Sequence, residues 1–190
     1  MAPSISTTYN VAKTLVVTLK DDKGNVLAEQ NVIVDLNGKV YTKTTDAKGQ
    51  VKISINLPVK QYPVKITFSG NDFYKSCAKT TRITVKKATP KLTASSKKFK
   101  AKAKTKKVSV TFKNNKGKAM KKVKLTLKVK GKTYKATTNT KGKATFNLKK
   151  LSKKGKYSAV FKYAGNSNYK PISKKIKIII KWKKEKQYWL

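Results

Sequence analysis

Residues 123–130 read Val-Lys-Leu-Thr-Leu-Lys-Val-Lys. Every second residue from Val123 to Val129 is apolar, and the residues between them are Lys or Thr. An extended chain points successive side chains to opposite faces, so this alternation predicts a strand with one face in water and one face buried. Burial of such apolar side chains contributes about 1.5–3 kcal/mol each to the stability of the fold, so we expect the apolar face to be covered.

The same alternation occurs along the rest of the chain and predicts an all-β fold. Short turns containing Lys-Gly separate the strands at intervals typical of an immunoglobulin-like sandwich of about seven strands. No stretch of ten or more residues has the apolar spacing of an amphipathic helix. The apolar positions of the predicted strands are Leu15, Val17, Leu19; Val32, Val34, Leu36; Val51, Ile53, Ile55; Tyr62, Val64, Ile66, Phe68; Ile83, Val85; Val108, Val110, Phe112; Leu125, Leu127, Val129; Ala144, Phe146, Leu148; Tyr157, Ala159, Phe161, Tyr163; and Ile178, Ile180.

The chain contains an internal repeat, which predicts two tandem domains. Tyr41 recurs as Tyr134 at an offset of 93, and Tyr62 recurs as Tyr157 at an offset of 95. We therefore expect an Ig-like β-sandwich domain at 1–89, a second at 90–182, and a tail rich in Lys and aromatic residues at 183–190.

A Gly-Asn-x-x-Tyr motif ends the fourth predicted strand of each copy. We interpret it as a structural corner in which Gly and Asn turn the chain and the Tyr hydroxyl bonds to main chain, with a sugar site as the alternative. The corner residues are Gly70, Asn71 and Tyr74 in the first copy, and Gly165, Asn166 and Tyr169 in the second.

The order of these motifs resembles the bacterial-type Ig-like repeats of large adhesin-like surface proteins, especially those of methanogenic archaea. The resemblance covers residues 10–182 and occurs twice. It implies a tandem Ig-like, structural or adhesive module of an extracellular, cell-surface protein, and it brings no catalytic residues with it. Residues 1–4 lack the pattern of a secretion signal, so we expect a fragment of a longer chain. Edge strands rich in Lys resist edge-to-edge pairing, so we expect the fragment to be monomeric.

Charge is distributed very unequally between the two halves of the sequence. Residues 1–90 hold 14 basic and 6 acidic side chains, whereas residues 91–190 hold 34 basic and 1 acidic. The many positive charges of residues 91–190 repel one another, and this repulsion disfavours a compact domain. The excess charge therefore suggests an anionic partner such as a cell-wall polymer or glycan. The residues that we expect to contact this polyanion are Lys97, Lys98, Lys100, Lys102, Lys104, Lys106, Lys107, Lys121, Lys122, Lys124, Lys128, Lys130, Lys174, Lys175 and Lys177.

Nonspecific binding of nucleic acid through the Lys surface is the alternative function. Arg82 is the only Arg among 48 basic residues, whereas base recognition favours the bidentate Arg side chain. Sequence-specific reading of nucleic acid is therefore disfavoured.

Composition disfavours an enzyme, a cofactor, a metal site and a membrane span. The chain has no His and one Cys, which excludes a Ser-His-Asp triad and a Cys-His dyad. Calcium is disfavoured because the acids at Asp22, Asp35, Asp46 and Asp72 of the first copy are replaced in the second. No apolar run approaches the ~20 residues of a membrane helix. The counterpart of Cys77 is Ile172, so we expect Cys77 to be buried.

Overall fold

The computed structural model describes residues 4–149 and 151–182, which form fifteen strands. Contacts divide the chain into two units, Met1–Lys87 and Ala88–Leu190, so the division falls two residues ahead of the predicted border. Each unit is an immunoglobulin-like β-sandwich, which confirms the predicted fold class. The predicted tail at 183–190 lies outside the described residues.

Unit 1 pairs a five-stranded sheet with a two-stranded one. The sheet orders are β1-β7-β6-β3-β4 and β2-β5, with β1 parallel to β7 and every other neighbour antiparallel. The strands are β1 (Ile5–Thr8), β2 (Lys13–Thr18), β3 (Asn31–Leu36), β4 (Lys39–Thr44), β5 (Gln50–Ile55), β6 (Gln61–Phe68) and β7 (Cys77–Lys86).

Unit 2 repeats this arrangement with one additional strand. Its sheets have the orders β12-β11-β14-β15-β9 and β13-β10-β8, and β9 is parallel to β15 as β1 is to β7. The strands are β8 (Lys91–Thr93), β9 (Lys97–Lys100), β10 (Lys107–Lys113), β11 (Lys124–Val129), β12 (Lys132–Thr137), β13 (Lys143–Asn147), β14 (Gly155–Tyr163) and β15 (Ile172–Lys181). The extra strand is β8, which pairs with β10.

The core of each unit lies between its two sheets and consists of the alternate apolar residues of the strands. Leu15, Val34 and Ile83 of unit 1 are fully buried, as are Phe112 and Phe161 of unit 2. Aromatic rings pack in unit 2, where the centroids of Phe112 and Tyr163 lie 4.7 Å apart. The alternation in the sequence therefore corresponds to the inner and outer faces of the sheets.

A buried threonine joins two loops in the same way in both units. The Thr45 hydroxyl donates to the Leu27 carbonyl at 2.7 Å and accepts the Gln30 N–H at 2.9 Å. Thr138 donates to Met120 and accepts from Val123 at corresponding positions. The repeat therefore extends beyond the strands to the buried polar contacts that fix the loops.

The corner motif is closed by its asparagine. The Asn71 side-chain oxygen accepts the N–H groups of Phe73 and Tyr74, both at 2.9 Å, and the Asn71 N–H donates to the Tyr74 carbonyl. Gly70 has φ +83°, and an added Cβ would meet main chain, so a side chain there is strained. Asn166 makes the same bonds in unit 2, and Gly165 precedes it with φ +86°.

Two tyrosine hydroxyls outside the corner motif bond to main chain. Tyr62 donates to the Pro58 carbonyl at 2.9 Å, and Tyr157 donates to the Lys153 carbonyl at 2.8 Å. Each bond reaches four residues upstream, near the start of β6 or β14, as in the tyrosine corner of Ig domains. Burial raises the pKa of Tyr62.

Cys77 is exposed, so its predicted burial is wrong. It begins β7 at the edge of a gap between the two sheets of unit 1, which β8 fills at the equivalent place in unit 2.

Candidate polyanion-binding face

The outer face of the five-stranded sheet of unit 2 consists largely of lysine. The side chains that alternate with the core residues on β9, β11, β12, β14 and β15 point away from the sandwich. We call this surface the lysine face. Its lysines, all exposed, are Lys98, Lys100, Lys124, Lys128, Lys135, Lys156, Lys162, Lys175, Lys177 and Lys181.

Strand register places uncharged residues between pairs of these lysines. Thr126 of β11 is flanked by Lys135 of β12 and Lys162 of β14. Neighbouring strands lie about 4.8 Å apart, so two lysines that flank one residue have main chains about 10 Å apart. Val160 lies in the same way between Lys128 and Lys175.

Ile179 lies between Lys156 and Lys98 on this face. It is only half-buried on an outward position, where the methylene stems of lysines can cover apolar surface while their ammonium groups stay in water. The face therefore combines closely spaced positive charge with small apolar patches.

One end of the lysine face is concave. Lys124, Lys135 and Lys162 surround an open depression of about 720 Å³, with Thr126 and Thr137 beside them. The remainder is lined by Leu125, Ala136, Tyr163, Ala164 and Pro171. Burial raises the pKa of Tyr163. Three ammonium groups and two hydroxyls are donors suited to carboxylate, sulfate or phosphate oxygens.

No carboxylate of unit 2's own strands can neutralise this surface, because residues 88–182 contain neither Asp nor Glu. Within residues 88–182 the lysine charges therefore have only dissolved anions as counter-ions. A polyanion that replaces these small ions releases them, and that release favours binding most strongly at low salt.

The equivalent face of unit 1 has the same strand order and a different charge. At the ten positions of the lysine face, unit 1 has only two cations, Arg82 and Lys86, and it has Asp35 where unit 2 has Lys128. The remaining counterparts are Ser6, Thr8, Asn31, Thr42, Gln61, Thr67 and Thr80. The fold therefore forms without the lysines.

Turns in unit 2 have lost carboxylates while keeping their hydrogen bonds. Asp46 Oδ1 accepts the N–H groups of Lys48 and Gln50, both at 2.9 Å. At the equivalent place, Asn139 Oδ1 accepts from Lys141 and Lys143, both at 3.0 Å. An amide oxygen thus replaces a carboxylate oxygen with the same geometry and one less negative charge.

The turn after β2 shows a similar exchange. Asp21 Oδ1 accepts the Asn25 N–H at 2.8 Å, and Asn114 Oδ1 accepts the Lys118 N–H at 2.9 Å. The Asn25 side-chain amide lowers the pKa of Asp21, and main-chain N–H groups add to this effect. The positive charge of unit 2 therefore reflects loss of acids as well as gain of lysines.

The outer face of the other sheet of unit 2 is less charged. Its middle is uncharged, with the Ser109 and Thr145 hydroxyls 3.0 Å apart, and its lysines lie toward the strand ends. These exposed lysines are Lys91, Lys107, Lys113 and Lys143. The five-stranded sheet therefore carries the denser charge.

The structure separates the lysines predicted from sequence into several places. Lys98, Lys100, Lys124, Lys128, Lys175 and Lys177 lie on the lysine face, and Lys130 follows β11 at its rim with its ammonium 5.7 Å from the Tyr157 ring centroid. The other exposed candidates lie elsewhere: Lys97 and Lys174 at strand positions of opposite parity, Lys102 and Lys104 after β9, Lys107 on β10, and Lys121 and Lys122 before β11.

Lys106 is wrongly predicted as a contact residue. It is 3% exposed, and its ammonium group donates to the Ala103 carbonyl at 2.8 Å. Its ammonium group bonds within the loop before β10 and is not presented at the surface.

Four lysines of the face were missed: Lys135, Lys156, Lys162 and Lys181. Each occupies an outward position of a predicted or adjacent strand, so the period-two pattern was the signal that could have found them.

Residues 4–149 and 151–182 contain neither a metal site nor a membrane-spanning helix. No group of three or more His, Cys, Asp or Glu side chains is placed to hold a metal ion. That same part of the chain forms no helix long and apolar enough to cross a membrane.

Comparison with solved structures places the fold among known sandwiches. The chain is similar to the bacterial integrin-binding protein invasin, with 17% identity over 95% of this chain and a TM-score of 0.54. It spans only 38% of the invasin chain. This likeness shows the fold and not the activity.

Two further structures align with lower scores. Titin domains Z1Z2, in complex with telethonin, match 96% of this chain and 94% of their own at 10% identity, with a TM-score of 0.49. A 1.5-MDa bacterial ice-binding adhesin matches 96% of this chain and 64% of its own at 16% identity, with a TM-score of 0.38. No family model and no curated protein matches the sequence.

Proposed function

We propose that the chain is a non-enzymatic structural and adhesive module of an extracellular, cell-surface protein. The first Ig-like repeat acts as a spacer, and the lysine face of the second contacts an anionic cell-wall polymer or glycan. The observation that carries the proposal is the contrast between ten lysines on this face and two cations at the same positions of unit 1.

The replacement of turn carboxylates by amides supports the same conclusion. Asn139 keeps the main-chain hydrogen bonds that Asp46 makes, so these bonds do not require a carboxylate. Removal of negative charge does matter for a partner that is itself negative. The resemblance to adhesin-like repeats and the fold shared with invasin, which is described as a bacterial integrin-binding protein, support an adhesive role.

Lysine suits this kind of contact better than sequence recognition. Its ammonium group is a flexible point charge without the fixed geometry that reads a base edge. An extended sheet face of such groups matches the repeated charges of a polymer rather than one particular ligand. Nucleic acid is the competing polyanion, and it is an outcome of the test.

The test uses the full chain and two variants that lose the same number of charges. In the face variant, Lys124, Lys128, Lys135, Lys162, Lys175 and Lys177 become Gln. In the control variant, six exposed lysines away from the face become Gln: Lys91, Lys107, Lys113, Lys116, Lys141 and Lys143. Binding to polygalacturonate, a carboxylated glycan, and to duplex DNA is measured across a salt series.

We expect the face variant to lose at least about tenfold more affinity for the glycan than the control variant, with a shallower salt dependence. Equal losses in both variants would show that net charge alone acts and would contradict a contact face. Binding to DNA that survives physiological salt while glycan binding does not would assign the face to nucleic acid instead.

A further inference from the structure

The segment 88–93 of unit 2 occupies a channel between the two sheets. Ala88, Pro90 and Leu92 alternate with exposed residues and are buried. Leu92 pairs with Phe112 of β10, and Ala88 exchanges main-chain bonds with the corner, donating to Asn168 at 3.0 Å and accepting from Lys170 at 2.9 Å. One extended segment thus closes both the sheet edge and the gap beside it.

The corresponding channel of unit 1 is open. At the offset of 93, the edge that receives β8 corresponds to residues 18–20, and β2 has β5 as its one strand neighbour within the described residues. A cavity of about 320 Å³ lies there, lined by Val17, Leu19, Phe68 and Cys77 among others. Its surface is mostly apolar, as expected of a place that a strand normally covers.

A second cavity continues the channel toward the corner. It measures about 450 Å³ and shares Leu19, Phe68 and Cys77 with the first, then extends to Phe73 and Tyr74. Phe73 is the counterpart of Asn168, whose carbonyl accepts the Ala88 N–H in unit 2. The two cavities therefore follow the path of segment 88–93. We call them together the strand groove.

Side chains that border this channel are more exposed in unit 1 than their counterparts beside segment 88–93 in unit 2. Phe73 is 87% exposed, and Tyr74 is only half-buried whereas its counterpart Tyr169 is 6% exposed. Cys77 is exposed whereas its counterpart Ile172 is half-buried. These residues border the strand groove, and among the described residues of unit 1 no strand of the β8 type covers them, which accounts for all three differences.

We propose that the strand groove binds an extended polypeptide segment of the β8 type, which runs into β1 from its N-terminal side. β1 matches β9 at an offset of 92, because Ile5 and Lys97 pair with equivalent residues of β7 and β15. At this offset, the residue equivalent to Leu92 would come one position before Met1. The occupant has small or apolar residues at alternate positions, as in Ala-Thr-Pro-Lys-Leu, and bonds through its main chain to β2.

Cys77 provides a direct readout, because it is the only cysteine in the chain and it borders the groove. The test joins Ala-Thr-Pro-Lys-Leu in front of residue 1 of the full chain and measures the rate at which iodoacetamide alkylates Cys77. A matched control carries Ala-Thr-Pro-Lys-Gln, which keeps length and charge and removes the apolar anchor. The free peptide Ala-Thr-Pro-Lys-Leu-Thr-Ala-Ser is added to the original chain in a third arm.

We expect the joined Leu segment to slow alkylation about tenfold, which corresponds to roughly 90% occupancy, and the Gln control to slow it much less. Equal rates in the original chain and both extended chains would overturn the proposal. Stronger protection by the free peptide than by the joined segment would overturn the proposed source and assign the groove to a strand from another molecule.

Discussion

At the scale of single residues, Asp46 and Asn139 make the same pair of main-chain bonds with different charge. The N–H groups of Gln50 and Lys48, with Lys52 nearby, hold the pKa of Asp46 below its ordinary value. A carboxylate with a depressed pKa stabilises the folded state above the ordinary pKa of about 3.8, and that stability is lost as pH falls through the depressed value. Asn139 does not titrate.

We therefore predict that Asp46→Asn flattens the acid dependence of unit 1. Urea midpoints of the full chain, followed by two-dimensional NMR on core amides of each unit, should fall for unit 1 between about pH 5 and pH 2. The fall should be smaller in the variant, while Asp21 continues to contribute. Unit 2 is an internal control with no Asp or Glu in residues 88–182. An unchanged slope in the variant would contradict the role of Asp46.

At the scale of the elements, alternation predicted the strands that line the core well. The apolar positions of β2, β3, β5, β6 and β7 were each found from the period of two, because these strands face a common core. The edge strands β1, β8 and β9 were not predicted. Each has only three or four residues and is bordered by polar or Lys-rich sequence, so no alternation is long enough to detect.

The candidate site was predicted only in part for a related reason. Sequence shows that Lys124 and Lys128 point outward from one strand, but it does not show which strands are neighbours. Lys135 and Lys162 come near each other because β12 and β14 both pair with β11. Lys106 was expected on the surface, but its loop turns the side chain inward to a main-chain carbonyl.

The turn between β12 and β13 requires glycine for two separate reasons. Gly142 has φ +69°, and an added Cβ would lie 2.5 Å from the Phe112 carbonyl oxygen, a main-chain atom held by its strand. Gly117 has φ +81° with open space around it. A side chain at Gly117 would therefore cost only the free energy of the left-handed conformation. A side chain at Gly142 would cost that free energy and also the free energy of a collision with main chain.

We predict that Gly142→Ala destabilises unit 2 by about 2–4 kcal/mol and that Gly117→Ala costs only about 1 kcal/mol. Urea denaturation of the full chain, followed by NMR signals of the unit 2 core, measures both. Equal losses in the two variants would mean that main chain near Phe112 moves aside freely and that the close approach has no structural role.

At the scale of the whole molecule, the two repeats show that one sandwich tolerates very different surfaces. Uncharged side chains such as Thr42, Gln61 and Thr80 occupy unit 1 where unit 2 has lysine. Like charges on neighbouring strands repel each other, and dissolved salt screens that repulsion over about 30 Å at 0.01 M but only about 8 Å at 0.15 M. The lysine face should therefore reduce the stability of unit 2 when no polyanion is present.

We predict that the thermal midpoint of unit 2 rises by several degrees between 10 and 150 mM NaCl, while that of unit 1 changes little. Temperature-dependent NMR of the full chain follows both units in one sample. At 10 mM NaCl the six-Gln face variant should melt at a higher temperature than its charge-matched control, because its substituted lysines lie on adjoining strands. A salt effect of equal size in both units would contradict this interpretation. If the face variant is both more stable and weaker at binding polygalacturonate, its lysines oppose folding and favour ligand binding, which is the pattern expected of a binding surface.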